Sequence, residues 1–447
     1  MRCGASATMP ERGTIIDLSY TRFDCRLELS GFILPTIEFI GSRFNSHVSL
    51  SGCLFLGHAI FDESTFGKLL TFNRGKCRFG FSVSGIEAHG KVRISGVHFS
   101  GDLDFDRCDL RKDVRVQEVE CAGGLYVNSS TFRQHAKFIG VKVRGNADWS
   151  EASFEGRFKC IDSQLALDSS FAGCTFSEAA NFNGTKFEGE QFFQTARFLE
   201  GVSFESVSFQ EASFFNNVLF GANPSDLFAS LDFRNARWKA PANFEGANCN
   251  GWYPRLRGAT FEEEATFTAE DENWDVSIPD VAPVPEYVLK EAKEGLAKLR
   301  HRMTSQGLPE EEHFFFRREM GFAGQIDPWG AGLPYRVFGA VSDFGQSILR
   351  PAMGLLALWV VGALIYTISY AWGAFDDGQQ PSEMFFGFGL SFANIFKFLG
   401  LQRSYFDVEF TQSLNPWLQV MGGFQTVAGF ILLFFLGLGL RTRFRMR

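Results

Sequence analysis

The chain has 447 residues, of which 45% are apolar and 53 are Phe, with a formal net charge of −8. That length accommodates two or three domains, and the acidic balance excludes a protein that is basic overall while leaving room for a local basic patch. Nine Cys without a paired Cys-x-x-Cys framework argue against metal or disulfide scaffolds and for a reduced, cytoplasmic setting.

Met1 to Thr14 hold no apolar run long enough for a secretory signal and are expected to cap the element that follows. From Phe44 to Phe209, alternating steps of six and five residues land on an apolar residue at all thirty-one stops, beginning Phe44, Leu50, Phe55, Phe61, Phe66, Phe72 and ending Phe193, Phe198, Phe204, Phe209. A fixed short period is the mark of a solenoid. An α-helix, at about 100° per residue, would throw successive stops to opposite sides. A plain strand fails as well, because an odd step reverses the side chain and each unit then needs a corner. The economical solution is a four-sided β-helix with one inward ladder residue per face and a coil of about 22 residues. A second inward position, two residues earlier, takes small groups: Cys174, Ala180, Thr185, Ala196, Val202, Val207 and Ala212. Weaker rungs precede the ladder at Leu18, Phe23, Leu29, Leu34 and Phe39, and resumed ones follow at Phe233, Trp238, Phe244, Phe261 and Phe267. The spacing slips once before Phe39, and Asn223-Pro224-Ser225 and Gly251-Trp252-Tyr253-Pro254 read as loops leaving the rod. Cys77, Cys121, Cys160 and Cys249 fall on ladder stops, and Cys53, Cys108 and Cys174 on the small position, so all seven are expected to be buried thiols.

These residues resemble the pentapeptide-repeat family, whose motif centres on Phe or Leu with a small residue two places before it; "AANFNGTKFEG" and "TARFLEGVSFES" carry the likeness. The resemblance covers roughly Thr14 to Thr268 and implies an all-β, right-handed quadrilateral β-helix of about eleven coils for residues 1–270, a rod about 50 Å long.

Residues one coil apart stack, which makes outward columns readable. Arg93, Arg115, Lys137 and Lys159 form one. Beside it run Lys91, Asp113, His135, Arg157 and then His89, Arg111, Arg133, Glu155. Eight Lys or Arg thus share one face of an acidic chain. Two readings stand: a solvated face with no function, or a track for an anionic ligand such as a nucleotide or oligonucleotide, held by its phosphates. Neither Phe nor Tyr is interleaved, so base stacking is not indicated.

Asp271 to Pro285 reads as a linker, followed within 271–345 by an amphipathic helical hairpin. Leu289, Ala292, Leu296, Leu299 and Met303 recur at helical spacing, Gly307 ends the first helix and Pro309 opens a second through Met320. The stretch resembles the hairpin that follows the repeats in membrane-attached pentapeptide-repeat proteins. Its stripe reads as hairpin packing or an oligomer seam, and Arg317, Arg318 and Glu319 as surface ion pairs.

Residues 346–447 form a membrane module. Ala352 to Phe375 and Trp417 to Leu440 carry no charge, and each is long enough to span a layer of about 30 Å. Arg336 and Arg350 precede the first span and Arg441, Arg443, Arg445 and Arg447 follow the second, so both ends are expected in the cytoplasm of a bacterial inner membrane. Met384 to Leu401 is apolar but short, and an even number of crossings makes it re-entrant or interfacial. The order resembles the two-helix pore module of P-loop cation channels, usually tetrameric, although no Thr-Val-Gly-Tyr-Gly filter is present and Gly387-Phe388-Gly389 precedes the dip. The resemblance places a constriction at Gly400 to Ser404, where Arg403 speaks against cation conduction, and Gln425 is the choice for a pore-facing group. Gly429 reads as a hinge or as packing.

The leading expectation is a homo-oligomeric, tetrameric ion channel biased by a cytoplasmic solenoid, suited to a bacterial stress or antiviral effector that depolarises the membrane. The alternative is a membrane-anchored scaffold whose rod binds a protein partner without conductance. No cofactor or metal is expected, and an enzyme is the least favoured reading because the seven His form no catalytic or metal motif. An acidic DNA-mimicking rod, known among soluble members of the family, is disfavoured by the basic face and the apolar spans.

Overall fold

A computed structural model describes residues 14–221, 231–249, 253–274, 285–327, 329–371, 386–406 and 414–445. The expected N-terminal cap, apart from Thr14, and the Asn223-Pro224-Ser225 loop lie outside the described residues. The chain divides into two units, Met1–Phe315 and Phe316–Arg447, each taken by itself below.

The first unit is an all-parallel β-solenoid of about eleven coils. Its described strands fall into four sheets of 12, 10, 11 and 11 strands, successive strands visiting the sheets in the same cyclic order as far as Leu219–Phe220, where the second sheet ends and the other three continue. The first and third sheets are therefore opposite faces of the rod. Register is 21 residues in the first coil, as Ile15 pairs with Thr36 and Ile33 with Leu54, and 22 from Ile37 opposite Ala59 onward. The offset widens to 29 at Val202 opposite Leu231 and settles at 23 where Leu231 meets Pro254. Pro254, expected in a loop, is instead a buried strand residue of the third sheet.

All thirty-one ladder stops are at most 1% exposed. Rings one coil apart stack face to face: Trp149, Phe171, Phe193, Phe215, Phe244 and Phe267 form a column with centroids 4.5–5.0 Å apart. Each fully buried Phe contributes about 1.5–3 kcal/mol, so the ladder dominates the fold's stability. The ladder runs on through Phe215 and Phe220, which places Ser213 at the small inward position; Ala212, expected there, is one residue off and half-buried. The seven ladder and small-position cysteines are buried free thiols, while Cys25 is exposed.

The corners demanded by the odd step are visible in the backbone. A residue in the left-handed region follows two places after alternate ladder stops, as at Glu63, Arg74, Gly85 and Gly96. Elsewhere coils approach too closely for a side chain: a Cβ on Gly145 would lie 2.6 Å from the carbonyl carbon of Gly123 in the coil before.

The last coil is covered. Trp274 is buried and its indole N–H donates to the Thr268 carbonyl at 2.8 Å, with the Phe315 ring edge-on at 5.2 Å. Helix α1 (Glu286–Gln306) lies on the coil: a Cβ on Gly295 would meet the Pro254 carbonyl oxygen at 2.4 Å, Lys298 Nζ donates to Leu256 O at 3.2 Å and Arg255 Nε pairs with Glu291 at 2.6 Å. The stripe Ala292, Leu296, Leu299, Met303 is thus buried on the helix face that meets the solenoid's end. Gly307, left-handed at φ 73°, ends α1 as its sequence foretells, and α2 (Pro309–Ile326) runs six residues beyond Met320.

The second unit contains the rest of α2, α3 (Trp329–Ser342), α4 (Leu349–Ala371), α5 (Phe386–Ile395), α6 (Leu401–Tyr405) and α7 (Pro416–Arg445). Helix α3, with Pro334 inside it, was not legible in the sequence. It joins α4 through an elbow in which Asp343, Phe344 and Gly345 all have positive φ, at 52°, 54° and 89°. Asp343 lies 3.2 Å from Arg317 Nη1 and 3.8 Å from Arg350 Nη1, so Arg317 is an elbow contact, and Glu319 is buried, so neither belongs to the surface pairs expected. Helices α4 and α7 are long and apolar enough to cross a membrane.

Candidate functional site

Two places gather the residues singled out in the sequence. The first is the third face of the solenoid. The strands Val92–Ser95, Val114–Gln117, Ala136–Ile139 and Phe158–Ile161 pair so that Arg93, Arg115, Lys137 and Lys159 stand in direct register. Their neighbours Ile94, Val116, Phe138 and Cys160 point inward and are buried, which fixes the four cations outward. With adjacent strands about 4.8 Å apart, the column spans about 14 Å.

The other four expected cations are already matched. Lys91 Nζ lies 2.8 Å from Asp113 Oδ2, Arg133 Nε 2.7 Å from Asp109 Oδ1, Arg111 Nε 3.1 Å from Asp109 Oδ2 with Glu87 also bound, and Arg157 Nε 3.6 Å from Glu178. Hydrogen bonding from Arg133 holds the Asp109 carboxyl below the usual range, and Lys91 does the same for Asp113. The sequence count missed Glu87, Asp109 and Glu178 because they lie in columns beside those tallied. Among the described residues, Arg93, Arg115, Lys137 and Lys159 form no ion pair, so the eight-residue stripe contracts to a column of four. Like charges on adjacent strands repel, by about 1 kcal/mol per neighbour in water; an anion laid along the column relieves that repulsion.

The second place is the interior of the second unit. Helix α5 has 10 residues, a length of about 15 Å, half of what a crossing needs. It is packed between α4 and α7, with Phe386, Gly387, Leu390, Ser391, Ala393, Asn394 and Ile395 buried. Glycines permit the approach: a Cβ on Gly387 would lie 2.6 Å from Ala363 O, and one on Gly429 would lie 2.9 Å from Ile395 Cγ2. Gly429 is accordingly a contact point in an unbroken helix.

Gln425, expected to face a pore, is fully buried among the three helices. Its Nε2 donates to Leu358 O at 3.2 Å and Ser391 Oγ at 2.9 Å, and Ser391 Oγ donates to Trp359 O at 2.8 Å. Asn394 Nδ2 donates to the Tyr366 hydroxyl at 3.0 Å, Gln402 Nε2 to Asn394 Oδ1 at 3.2 Å, and Thr426 Oγ1 to Asn394 O at 2.9 Å. The polar groups of α4, α5 and α7 thus satisfy one another across the helix contacts.

Gly400 adopts φ 77° between the 3-10 turn Lys397–Leu399 and α6. Its carbonyl accepts from Arg403 N at 3.1 Å, so this stretch is helical and offers no row of free carbonyls. Arg403 is exposed on α6. Comparison with protein-family models, with curated proteins and with solved structures returns no match.

Proposed function

We propose that the chain is an oligomeric membrane channel or pore, tetrameric by preference, whose cytoplasmic pentapeptide-repeat solenoid receives an anionic ligand of the nucleotide or oligonucleotide class and biases the open state. The observation that supports it most is α5: an apolar helix too short to cross, buried between two helices that are long enough. A chain that turns back at membrane depth leaves helix there, and such backbone is tolerated only where it is buried in protein or lines water. On this reading α4 and α7 cross the bacterial inner membrane, both chain ends stay in the cytoplasm, and the biological role is depolarisation during stress or antiviral defence. The column Arg93, Arg115, Lys137 and Lys159 is the receptor surface, and a ligand that prefers one state of the solenoid shifts the pore by that preference.

Ion flux from liposomes loaded with the purified chain, with and without a single-stranded oligonucleotide, tests the proposal. Flux that responds to the oligonucleotide supports it, and silence under every condition refutes it. A second reading, an anchored scaffold without conductance, draws support from one observation: Gln425, Asn394 and Ser391 are turned into the helix contacts and bonded there. It requires that swapping both spans for an unrelated anchor preserve activity.

A further inference from the structure

Among the described residues the cations of the column lack acidic partners, and the opposite side of the same coils has the reverse imbalance. In Asp102-Leu103-Asp104-Phe105-Asp106, Leu103 and Phe105 are buried and the three aspartates are left outside. Asp104 and Asp148 are the outward residues of Leu103–Asp104 and Ala147–Asp148, both in the first sheet. Asp62 and Asp106 stand at the corner after that face. Among the described residues none of these five forms an ion pair.

Each is held rigidly by one oxygen. Oδ1 accepts from Ser84 N at 3.0 Å for Asp62, from Gly124 N at 2.7 Å for Asp102, from Asp106 N at 2.8 Å for Asp104, from Asn128 N at 2.7 Å for Asp106 and from Ser150 N at 2.9 Å for Asp148. Burial, with the charges of Asp106 and Asp62 adding to it, pushes the Asp104 carboxyl above its usual range even though Arg107 pulls the other way. Arg115 belongs to the coil that begins at Leu103–Asp104, and Lys159 to the one that begins at Ala147–Asp148. Acidic and basic faces are therefore level with each other on opposite sides of one rod.

We propose that the anion received by the basic column is the acidic first face of a second copy of this chain, so that solenoids line up side by side, third face against first. This rests on the reading of the column as an anion receptor and puts a second copy in the place given above to a nucleotide or oligonucleotide. The contact is heterologous, since the two patches differ, and each added copy presents a fresh face of either sign. Its ion pairs are exposed, each individually weak and screened by salt.

Zero-length carbodiimide coupling of the full-length protein in detergent, read by mass spectrometry, tests it. A peptide joining Lys137 or Lys159 to Asp104 or Asp148 cannot form within one chain, because the two sets lie on opposite faces. Such peptides are expected at about 50 mM salt and several-fold less at about 500 mM. R93E/R115E leaves the coupling residues in place and should lower the yield about five-fold, the loss anticipated for two exposed pairs. D102N/D106N keeps the side-chain oxygens that hold the corners and should lower it similarly. Absence of inter-face peptides, a yield indifferent to salt and to both variants, or retention of an oligonucleotide or anionic vesicles by the column without inter-face peptides overturns the proposal. Flux measured after the same preparation is reconstituted into liposomes keeps the two readings apart: flux without inter-face peptides refutes lateral pairing alone, and peptides without flux refute the pore alone.

Discussion

Replacing Gly362 by Ala probes the polar lock of the second unit. A Cβ there would lie 1.6 Å from Gln425 Nε2 and 2.6 Å from Ser391 Oγ, so the amide has to leave. It then loses its bonds to Leu358 O and Ser391 Oγ. Hydrogen bonds between apolar helices measure about 0.6 kcal/mol each and at most about 1.7, and repacking the displaced side chain adds about 1–3 kcal/mol. The better helix preference of Ala offsets up to about 1 kcal/mol, leaving a net loss of about 2–3 kcal/mol for G362A. Q425A removes the same bonds and leaves a gap, at a cost of about 2–3 kcal/mol, while Ser391 keeps Trp359 O and Asn394 keeps Tyr366 as partners. In the double variant the new methyl enters the space the amide has vacated. Its stability should match that of Q425A alone, a coupling of about 2–3 kcal/mol. Equilibrium unfolding in mixed micelles, followed by Trp fluorescence, measures all three. Additive losses, or a G362A protein as stable as the parent, would refute the lock and restore Gln425 as a candidate for a water-facing position.

The solenoid supplies two further tests. Thr195 is β-branched at φ 58°, a conformation that costs a non-Gly residue about 1–2 kcal/mol, so Thr195→Gly should stabilise by about 1 kcal/mol in thermal unfolding; a lower midpoint contradicts the strain argument. Burial pushes the Cys121 and Cys160 thiols from 9.0 up to about 12. The unfolded chain ionises first, so the stabilisation these thiols give is complete below about pH 9 and declines from there toward pH 12. Cys121→Val, matching Val143 in the next coil of the ladder, should flatten that decline, and an identical slope in the variant would count against buried thiols as its source.

Inward positions were legible because stacking forces a constant period: a residue that must face the interior recurs at a spacing set by the corners, whatever its identity. Cys77, Val83 and Ala88 therefore kept the ladder's register as well as Phe did. The assignment of Ala212 failed where the pattern Ser213-Phe214-Phe215 offers two consecutive rings and only register can choose between them. Charge pairing was less legible. Asp109 reaches Arg133 one coil and two residues away, a diagonal that column-by-column counting does not follow. In the apolar helices, Gln425 announced only that it avoids lipid, and Asn394 drew no reading at all. A helix contact and a water-filled lumen both meet that condition, and partners on α4 and α5 decide between them.

The alternation of side chains along each coil has a consequence for how such a surface can change. Arg93 sits between Val92 and Ile94, and Arg115 between Val114 and Val116, each cation sharing its strand with buried neighbours. An outward exchange rewrites one line of the exterior and stays in that line. An inward exchange is felt above and below, through rings in contact with the next coil. The rod is thus a ruler with a pitch of about 4.8 Å whose markings can be altered one at a time while its substance remains the same.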